Sequence, residues 1–256
     1  MTRSRRRRRR VLWWTLGGVG GLLLAAAVGV VVWSQVGVYR AEPAPLAAVR
    51  ADPAIAIVDD PAAIVLSPAG AEASGDEATG TGLVFIPGAK VDAWAYAATL
   101  SGLVRDADLT VVITRPWLNL AFFDARPLSA FTDLAPDVGT WIVGGHSLGG
   151  VRACTLATDA DALALFASYC ATDLSDSGLP VLSLSGSEDG LSTPEKIDDA
   201  RDLLPADARV VEIPGAAHAS FGAYGPQEGD GTPSVSLEDM TATIAGTVGP
   251  FASELD

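Results

Sequence analysis

Residues 141–150 read Trp141-Ile142-Val143-Gly144-Gly145-His146-Ser147-Leu148-Gly149-Gly150, and the reading of these ten residues decides the fold. The apolar, β-branched start predicts a strand, and the segment 151–157 that follows predicts a helix. Strand, sharp bend and helix in immediate succession leave Ser147 at the bend. The spacing Gly145-x-Ser147-x-Gly149 suits such a bend because a Cβ at either flanking position would run into neighbouring backbone, while the serine takes strained dihedrals. Its hydroxyl is then held out at the end of a sheet. The helix N-terminus beneath it favours negative charge developing beside it.

Working outward, short β-rich runs alternate with helical stretches. The runs are 54–58, 63–66, 82–86, 109–114, 141–145, 162–167, 181–185 and 209–213, and most are nearly continuous in apolar residues. Strands buried on both faces have that composition, and alternation with helices predicts a mostly parallel sheet. Helices are predicted at 92–104, 128–134, 148–157, 194–203 and 237–247. The Gly-, Ser- and acid-rich stretch 69–80 reads as a solvated turn between the second and third strands.

From residue 54 onward the chain resembles the α/β-hydrolase fold superfamily, in element order and at three motifs: Ile86-Pro-Gly-Ala-Lys-Val-Asp92, Pro116-Trp-Leu-Asn-Leu120 and the Gly-His-Ser-Leu-Gly-Gly turn. Together these look like the small, lid-poor bacterial branch of dienelactone-hydrolase-like and carboxylesterase-like proteins. The resemblance implies an α/β fold: a mostly parallel eight-stranded sheet, its second strand antiparallel, flanked by helices. The strand leading into the serine should be the fifth, as 141–145 is in the count above.

A serine hydroxyl needs a base within hydrogen-bond reach and a third group to orient that base. The chain has two histidines. The side chain of His146, next to the serine in a tight turn, should diverge from it, which leaves His218. His218 follows the last predicted strand, where this fold places its catalytic histidine. The resemblance puts the acid after the seventh strand, in Ser185-Gly-Ser-Glu-Asp-Gly-Leu191. Asp189, a short carboxylate before a glycine, fits best; Glu188 is the alternative, with Asp173 and Asp176 as outsiders. An Asx-type turn is the structural role open to Asp189. The oxyanion hole is expected from the N–H groups of Leu148 and Ala89. Lys90, Asn119 and His146 are candidate substrate contacts; the plainer readings are a solvated lysine for Lys90 and a turn residue for Asn119. Phe122 and Phe123 read equally as pocket lining or core, and 225–233 as a surface loop near the pocket mouth.

Cys154 and Cys170 are the only cysteines. They are read either as a short-range disulfide, allowed in an oxidising compartment, or as two buried thiols. No phosphate-loop lysine follows the serine turn, His146 stands where a dinucleotide fingerprint would need glycine, and no cluster has metal-ligand spacing, so no cofactor or metal is expected.

The N-terminal region is of a different kind. Seven of the 17 basic residues lie in residues 1–10, which leaves ten against 31 acids in the rest of the chain. So acidic a body argues against nucleic acid as a partner. The uncharged run 11–38, with tryptophans near both ends, is longer than the roughly 7–15 residues of a cleavable signal core and reaches the roughly 20 needed to cross a bilayer. The reading is a cytoplasmic arginine tail (1–10), a transmembrane signal anchor (11–38), an extended Pro- and Ala-bearing linker (39–53) and an extracytoplasmic catalytic domain (54–256). Secretion after signal cleavage is the alternative.

The function expected is a membrane-anchored serine hydrolase that cleaves a small carboxylic ester. An amidase, peptidase or acyltransferase on the same triad, and a noncatalytic envelope-binding module keeping the fold, are the rivals.

Overall fold

The computed structural model describes residues 3–70 and 78–255, with residues 3–12 described by backbone alone. Most of the turn expected at 69–80 lies outside the described residues. The chain forms two compact units, Met1–Val38 and Tyr39–Asp256.

The first unit is helix α1 (Arg3–Gln35). Its stretch Trp13–Gln35 is 23 residues of strongly apolar helix whose large side chains are exposed. At 1.5 Å per residue it is roughly 35 Å long, enough for a hydrocarbon core of roughly 30 Å. A membrane span and a signal sequence both meet that description. The helix stops short of residue 38 because Gly37 takes a left-handed φ of 68°, which ends a helix at no Cβ cost.

The second unit is built on eight strands: β1 (Ile55–Asp59), β2 (Ala63–Pro68), β3 (Thr81–Ile86), β4 (Thr110–Thr114), β5 (Thr140–His146), β6 (Ala162–Phe166), β7 (Val181–Gly186) and β8 (Arg209–Ile213). They form one sheet in the order β1-β2-β4-β3-β5-β6-β7-β8. β2 runs antiparallel to both neighbours, and every other pairing is parallel. All eight sequence runs correspond to strands, displaced by no more than two residues at either end.

Side chains alternate across the sheet, and both faces are covered. Leu83 and Phe85 of β3 join one core with Val49 of α2 (Pro43–Ala51), Leu100 and Leu103 of α3 (Ala97–Ala107), and Ile244 and Val248 of α7 (Leu237–Ser253). Val84 and Ile86 join the other, with Phe131 of α4 (Ser129–Thr132) and Leu156 of α5 (Leu148–Leu156). Two apolar faces require two apolar phases, which is why the central strands are apolar throughout. The edge strand β8 keeps Arg209 and Glu212 because much of it is exposed.

Several elements differ from their sequence reading. The 39–53 linker is part of the compact unit. Tyr39 N–H donates to the Lys90 carbonyl at 2.7 Å, and Glu42 N–H donates to the Ala223 carbonyl at 2.8 Å. Two of its three prolines, Pro43 and Pro45, fall in the first turn of α2, where a missing N–H breaks no helical bond, so they start a helix and do not extend the chain. The helix predicted at 128–134 is the single turn α4. The one at 194–203 divides into α6 (Pro194–Asp199) and a 3-10 turn (Arg201–Leu203). Predicted to stop at 247, α7 continues through Pro250, and the extra turns bury Phe251 and Ala252 against the sheet. Cys154 of α5 and Cys170, beyond β6, form a disulfide with Cα atoms 5.6 Å apart.

Candidate active site

β5 ends at His146, and Ser147 turns the chain into α5 with φ 52° and ψ −123°, a conformation that a side-chain-bearing residue rarely holds. The close approach that imposes it is at Gly149. A Cβ there would lie 1.9 Å from the Ile86 carbonyl oxygen and 2.6 Å from that of Pro87. The first turn of α5 is thus pressed against the end of β3, which brings the 87–90 loop beside the serine. Ser147 N–H donates to the Phe166 carbonyl at 3.1 Å, and the Ser168 hydroxyl donates to the Ser147 carbonyl at 2.7 Å. Leu148 and Ala89, the expected oxyanion donors, are both partly exposed on the two sides of this junction.

His218 opens a 3-10 turn (His218–Phe221) just after β8. Its Nδ1–H donates to Asp189 Oδ2 at 2.8 Å, and both side chains are buried. The other oxygen of Asp189 accepts the N–H groups of Leu191 at 2.8 Å and Ser192 at 2.7 Å. Asp189 is therefore an Asx-type turn residue and the partner of His218 at once. Glu188 is exposed, as are Asp173 and Asp176, and Asp173 is engaged with Ser175. Hydrogen bonding to Ser175 holds the Asp173 carboxyl below its usual range. Of the four carboxylates considered from sequence, Asp189 is the one that meets His218.

His146, a candidate substrate contact from sequence, is buried and engaged at both ring nitrogens. Nε2 lies 3.1 Å from the His218 carbonyl oxygen, and Nδ1 lies 2.9 Å from the Tyr96 hydroxyl. The His146 and His218 rings are 4.4 Å apart between centroids, which places His218 against the residue that precedes Ser147. Burial, reinforced by the neighbouring His218 and only partly opposed by the bond to the His218 backbone, pushes the His146 pKa well below its ordinary value.

The other candidates sit at the rim. Lys90 and Asn119 are half-buried, both at left-handed φ, and Lys90 N–H donates to the Asn119 carbonyl at 2.8 Å. That bond holds the 116–123 segment beside the 87–90 loop. Phe122 and Phe123 are not core residues: they are 74% and 50% exposed, with Trp117 52% exposed nearby in sequence.

Two residues of the site were not read from the sequence. Asp230 lies in the 225–233 segment that was read as a surface loop. Its Oδ1 accepts from the N–H groups of Gly190 (3.1 Å), His218 (3.0 Å) and Gly231 (2.7 Å), and its Oδ2 from that of Ala219 (2.8 Å). One carboxylate thus ties the acid loop to the histidine turn. The loops interlock so closely that a Cβ on Gly231 would lie 1.8 Å from the Glu188 carbonyl oxygen. The available signal was an acid between two glycines, Gly229-Asp230-Gly231, shortly after the histidine. Tyr96, the second, carried no sequence signal, being one aromatic within an apolar helical stretch.

With this geometry described, the relationship to known proteins is direct. The chain belongs to the alpha/beta hydrolase family, whose family model matches residues 82–242, from β3 into α7. Among solved structures it is similar to the esterase domain of a Rhodothermus marinus protein, with 15% identity and a TM-score of 0.56 over 78% of this chain and 98% of that one. It is also similar to Est1E from Butyrivibrio proteoclasticus, with 13% identity and a TM-score of 0.51 over 78% of this chain and 99% of that one. At such identity the likeness is one of fold. No curated protein sequence matches the chain.

Proposed function

We propose that the protein is a membrane-anchored, extracytoplasmic serine hydrolase acting on small carboxylic esters. The observation that carries the reading is the buried His218–Asp189 hydrogen bond set against the strained Ser147 turn. Asp189 holds Nδ1–H of His218, so Nε2 is the nitrogen available as base. Ser147 Oγ gives its proton to Nε2 and bonds to the ester carbonyl carbon. The carbonyl π pair moves onto oxygen, where the N–H groups of Leu148 and Ala89 receive it. Collapse breaks the bond to the leaving oxygen, which takes the proton from Nε2, and an acyl-serine is left. Water then repeats the sequence, with Nε2 accepting its proton and returning it to Ser147 as the acid departs. No step needs a cofactor.

The substrate class follows from what surrounds the turn. The connection from β6 to β7 contains no helix among the described residues, so it provides no lid for long acyl chains. The exposed rings of Trp117, Phe122 and Phe123 offer an apolar rim beside the 87–90 loop. Anchoring is supported by the apolar α1 following an arginine-rich start, and the extracytoplasmic side by the Cys154–Cys170 disulfide.

The test uses the full chain in detergent micelles and a fluorophosphonate probe. Ser147 is labelled in the wild type, and labelling is lost in Ser147→Ala and His218→Ala. A folded wild type that takes no label favours the noncatalytic module. Turnover of p-nitrophenyl esters falls steeply beyond butyrate, and faster cleavage of peptide amides would move the assignment to a peptidase. Alkaline washing of membranes leaves the anchored protein in the pellet, whereas release with a shortened N-terminus would show signal cleavage.

A further inference from the structure

Resting on the serine-hydrolase reading, we infer that Tyr96 and His146 form a buried positioning relay, one that ties the oxyanion loop to the backbone of the catalytic base and sets both in a single geometry. The relay has three links. Gly88 N–H donates to the Tyr96 hydroxyl oxygen at 2.9 Å, the Tyr96 hydroxyl lies 2.9 Å from His146 Nδ1, and His146 Nε2 lies 3.1 Å from the His218 carbonyl oxygen. Both side chains are almost completely buried, Tyr96 at 0% and His146 at 1% exposure.

Donor and acceptor chemistry fixes every proton in this chain. A backbone carbonyl only accepts, so His146 carries its hydrogen on Nε2 and donates it to His218. In a neutral imidazole Nδ1 is then an acceptor, and the phenol donates to it. The phenol oxygen keeps a lone pair for Gly88 N–H, so each donor has one acceptor and none is left over. Protonating His146 would reverse the middle link and leave the phenol hydrogen with no acceptor in a buried site. Burial, which lowers the His146 pKa and raises that of Tyr96, acts in the same direction by keeping both rings neutral.

The surroundings leave little to disturb this arrangement. The titratable groups facing His146 are Tyr96 from the 3-10 turn Ala93–Tyr96 and His218 from its own turn, with Asp189 behind His218. Two apolar rings adjoin His146: Phe221 stacks at 5.9 Å between centroids, and Phe166 of β6 is its strand partner. Gly88 has no room for a side chain, since a Cβ would lie 2.8 Å from His146 Nδ1 and 3.1 Å from the Tyr96 hydroxyl oxygen.

The consequence is mechanical. Gly88 immediately precedes Ala89, the oxyanion donor from that loop, and His218 is the base, so one rigid chain spaces the two groups that must act on opposite sides of the reacting carbonyl. Both are positioned through backbone atoms, and Tyr96 and His146 act without touching substrate. Removing the hydroxyl of Tyr96 releases Gly88 N–H and His146 Nδ1 together.

Two measurements on the full chain in detergent micelles test this. The first is ¹⁵N NMR of the imidazoles, which is simple because the protein has two histidines. One of them should keep a bare Nδ1 and a protonated Nε2 from about pH 8 to about pH 5, the range in which a histidine ordinarily titrates, while the His218 ring carries Nδ1–H toward Asp189. Nδ1–H on both rings, or titration of both rings in that range, overturns the relay whether or not the protein is a hydrolase. The second is kinetics with p-nitrophenyl acetate. Tyr96→Phe and His146→Leu lower kcat about 10–100-fold through misplacement of the reacting groups. KM stays within about threefold, because the lost interactions act in the transition state. His146→Gln, which keeps a side-chain donor and acceptor, recovers at least about threefold in kcat over His146→Leu, as expected for charge-neutral hydrogen bonding at a buried site. A folded Tyr96→Phe protein with wild-type kcat, a loss confined to KM, or equal activity of the Gln and Leu variants overturns the proposal. Should Tyr96→Phe fail to fold, the tautomer measured on the wild type decides. Absence of fluorophosphonate labelling in the wild type would instead defeat the hydrolase reading and leave the tautomer result standing.

Discussion

The two arms of the proposed catalytic site are held by different physics. The serine arm is local and steric: β5, Ser147 and α5 are consecutive, and glycines at 145 and 149 let the turn press on the carbonyls of Ile86 and Pro87. The acid–base arm is assembled at a distance and by hydrogen bonds. Asp189 comes from the β7–α6 connection and His218 and Asp230 from two parts of the β8–α7 connection, joined through carboxylate-to-backbone contacts and one imidazole bond. Steric arrangements fail abruptly when an atom is added. Hydrogen-bonded ones should lose function in steps and respond to pH.

The sharpest separation of the arms comes from Asp189→Asn. The amide keeps the shape but disturbs the tautomer of His218, and kcat should fall by about 10⁴-fold in a folded protein, the scale of the same change in a serine-protease triad. Steady-state kinetics measures it, and a loss of under about tenfold would mean that Asp189 does not orient the base.

On the serine arm, Gly149→Ala places a methyl group where backbone oxygens already stand, and no side-chain rotation can relieve the clash. The expected cost is about 3 kcal/mol or more, at the upper end for overpacking, read from a urea unfolding midpoint. An unaltered midpoint would break the steric account of the turn. Breaking the disulfide with Cys154→Ala and Cys170→Ala probes the far end of α5. With a sequence separation of 16, the loop-entropy model gives a loss of about 3 kcal/mol in stability. The kcat should stay close to wild type, since neither sulfur adjoins the reacting groups.

Asp230→Asn weakens the acid–base arm without emptying it. Loss of charge-assisted bonds to four N–H groups predicts a stability drop of about 1.5–3 kcal/mol. A fall in kcat should accompany it, and the serine turn should stay intact.

The smallest effect concerns pH and tells the arms apart by titration. The folded pKa of His146 is depressed below its ordinary 6.5, so the unfolded chain binds a proton that the folded chain refuses. Its contribution to stability is complete above about pH 6.5 and is lost as pH falls below that, with a slope of up to about 1.4 kcal/mol per unit. His146→Gln should flatten this acid limb in denaturant midpoints, whereas Cys154→Ala with Cys170→Ala should lower the curve without changing its slope.

Legibility followed the same division. The serine turn was readable because its cause lies in adjacent residues: β-branched residues, then glycines at fixed offsets. The central strands were readable because burial on both faces of a parallel sheet makes them nearly continuous in apolar residues. The 39–53 segment misled because two prolines suggest an extended chain, yet their cost depends on whether they fall in the first turn of a helix, and that turn begins where the Tyr39–Val91 bridge and the Glu42 N–H bond to the Ala223 carbonyl hold the chain. Asp230 was passed over for a related reason. A carboxylate in a glycine-rich turn looks solvated until another loop presents its N–H groups to it.

What the sequence determined by itself was therefore everything governed by neighbours in the chain: the strand count, the bend at Ser147, the apolar helix at the N-terminus and the small set of titratable groups able to serve the serine. What the tertiary structure decided was the pairing of Asp189, not Glu188, with His218, the clamp made by Asp230, and the burial of His146, a candidate substrate contact from sequence, between Tyr96 and His218. The physical reason is range. Steric and periodic constraints act over a few residues, whereas a hydrogen bond takes its partner from whatever the fold brings within 3 Å, here across 29 residues for Asp189 with His218 and 72 for His146 with His218.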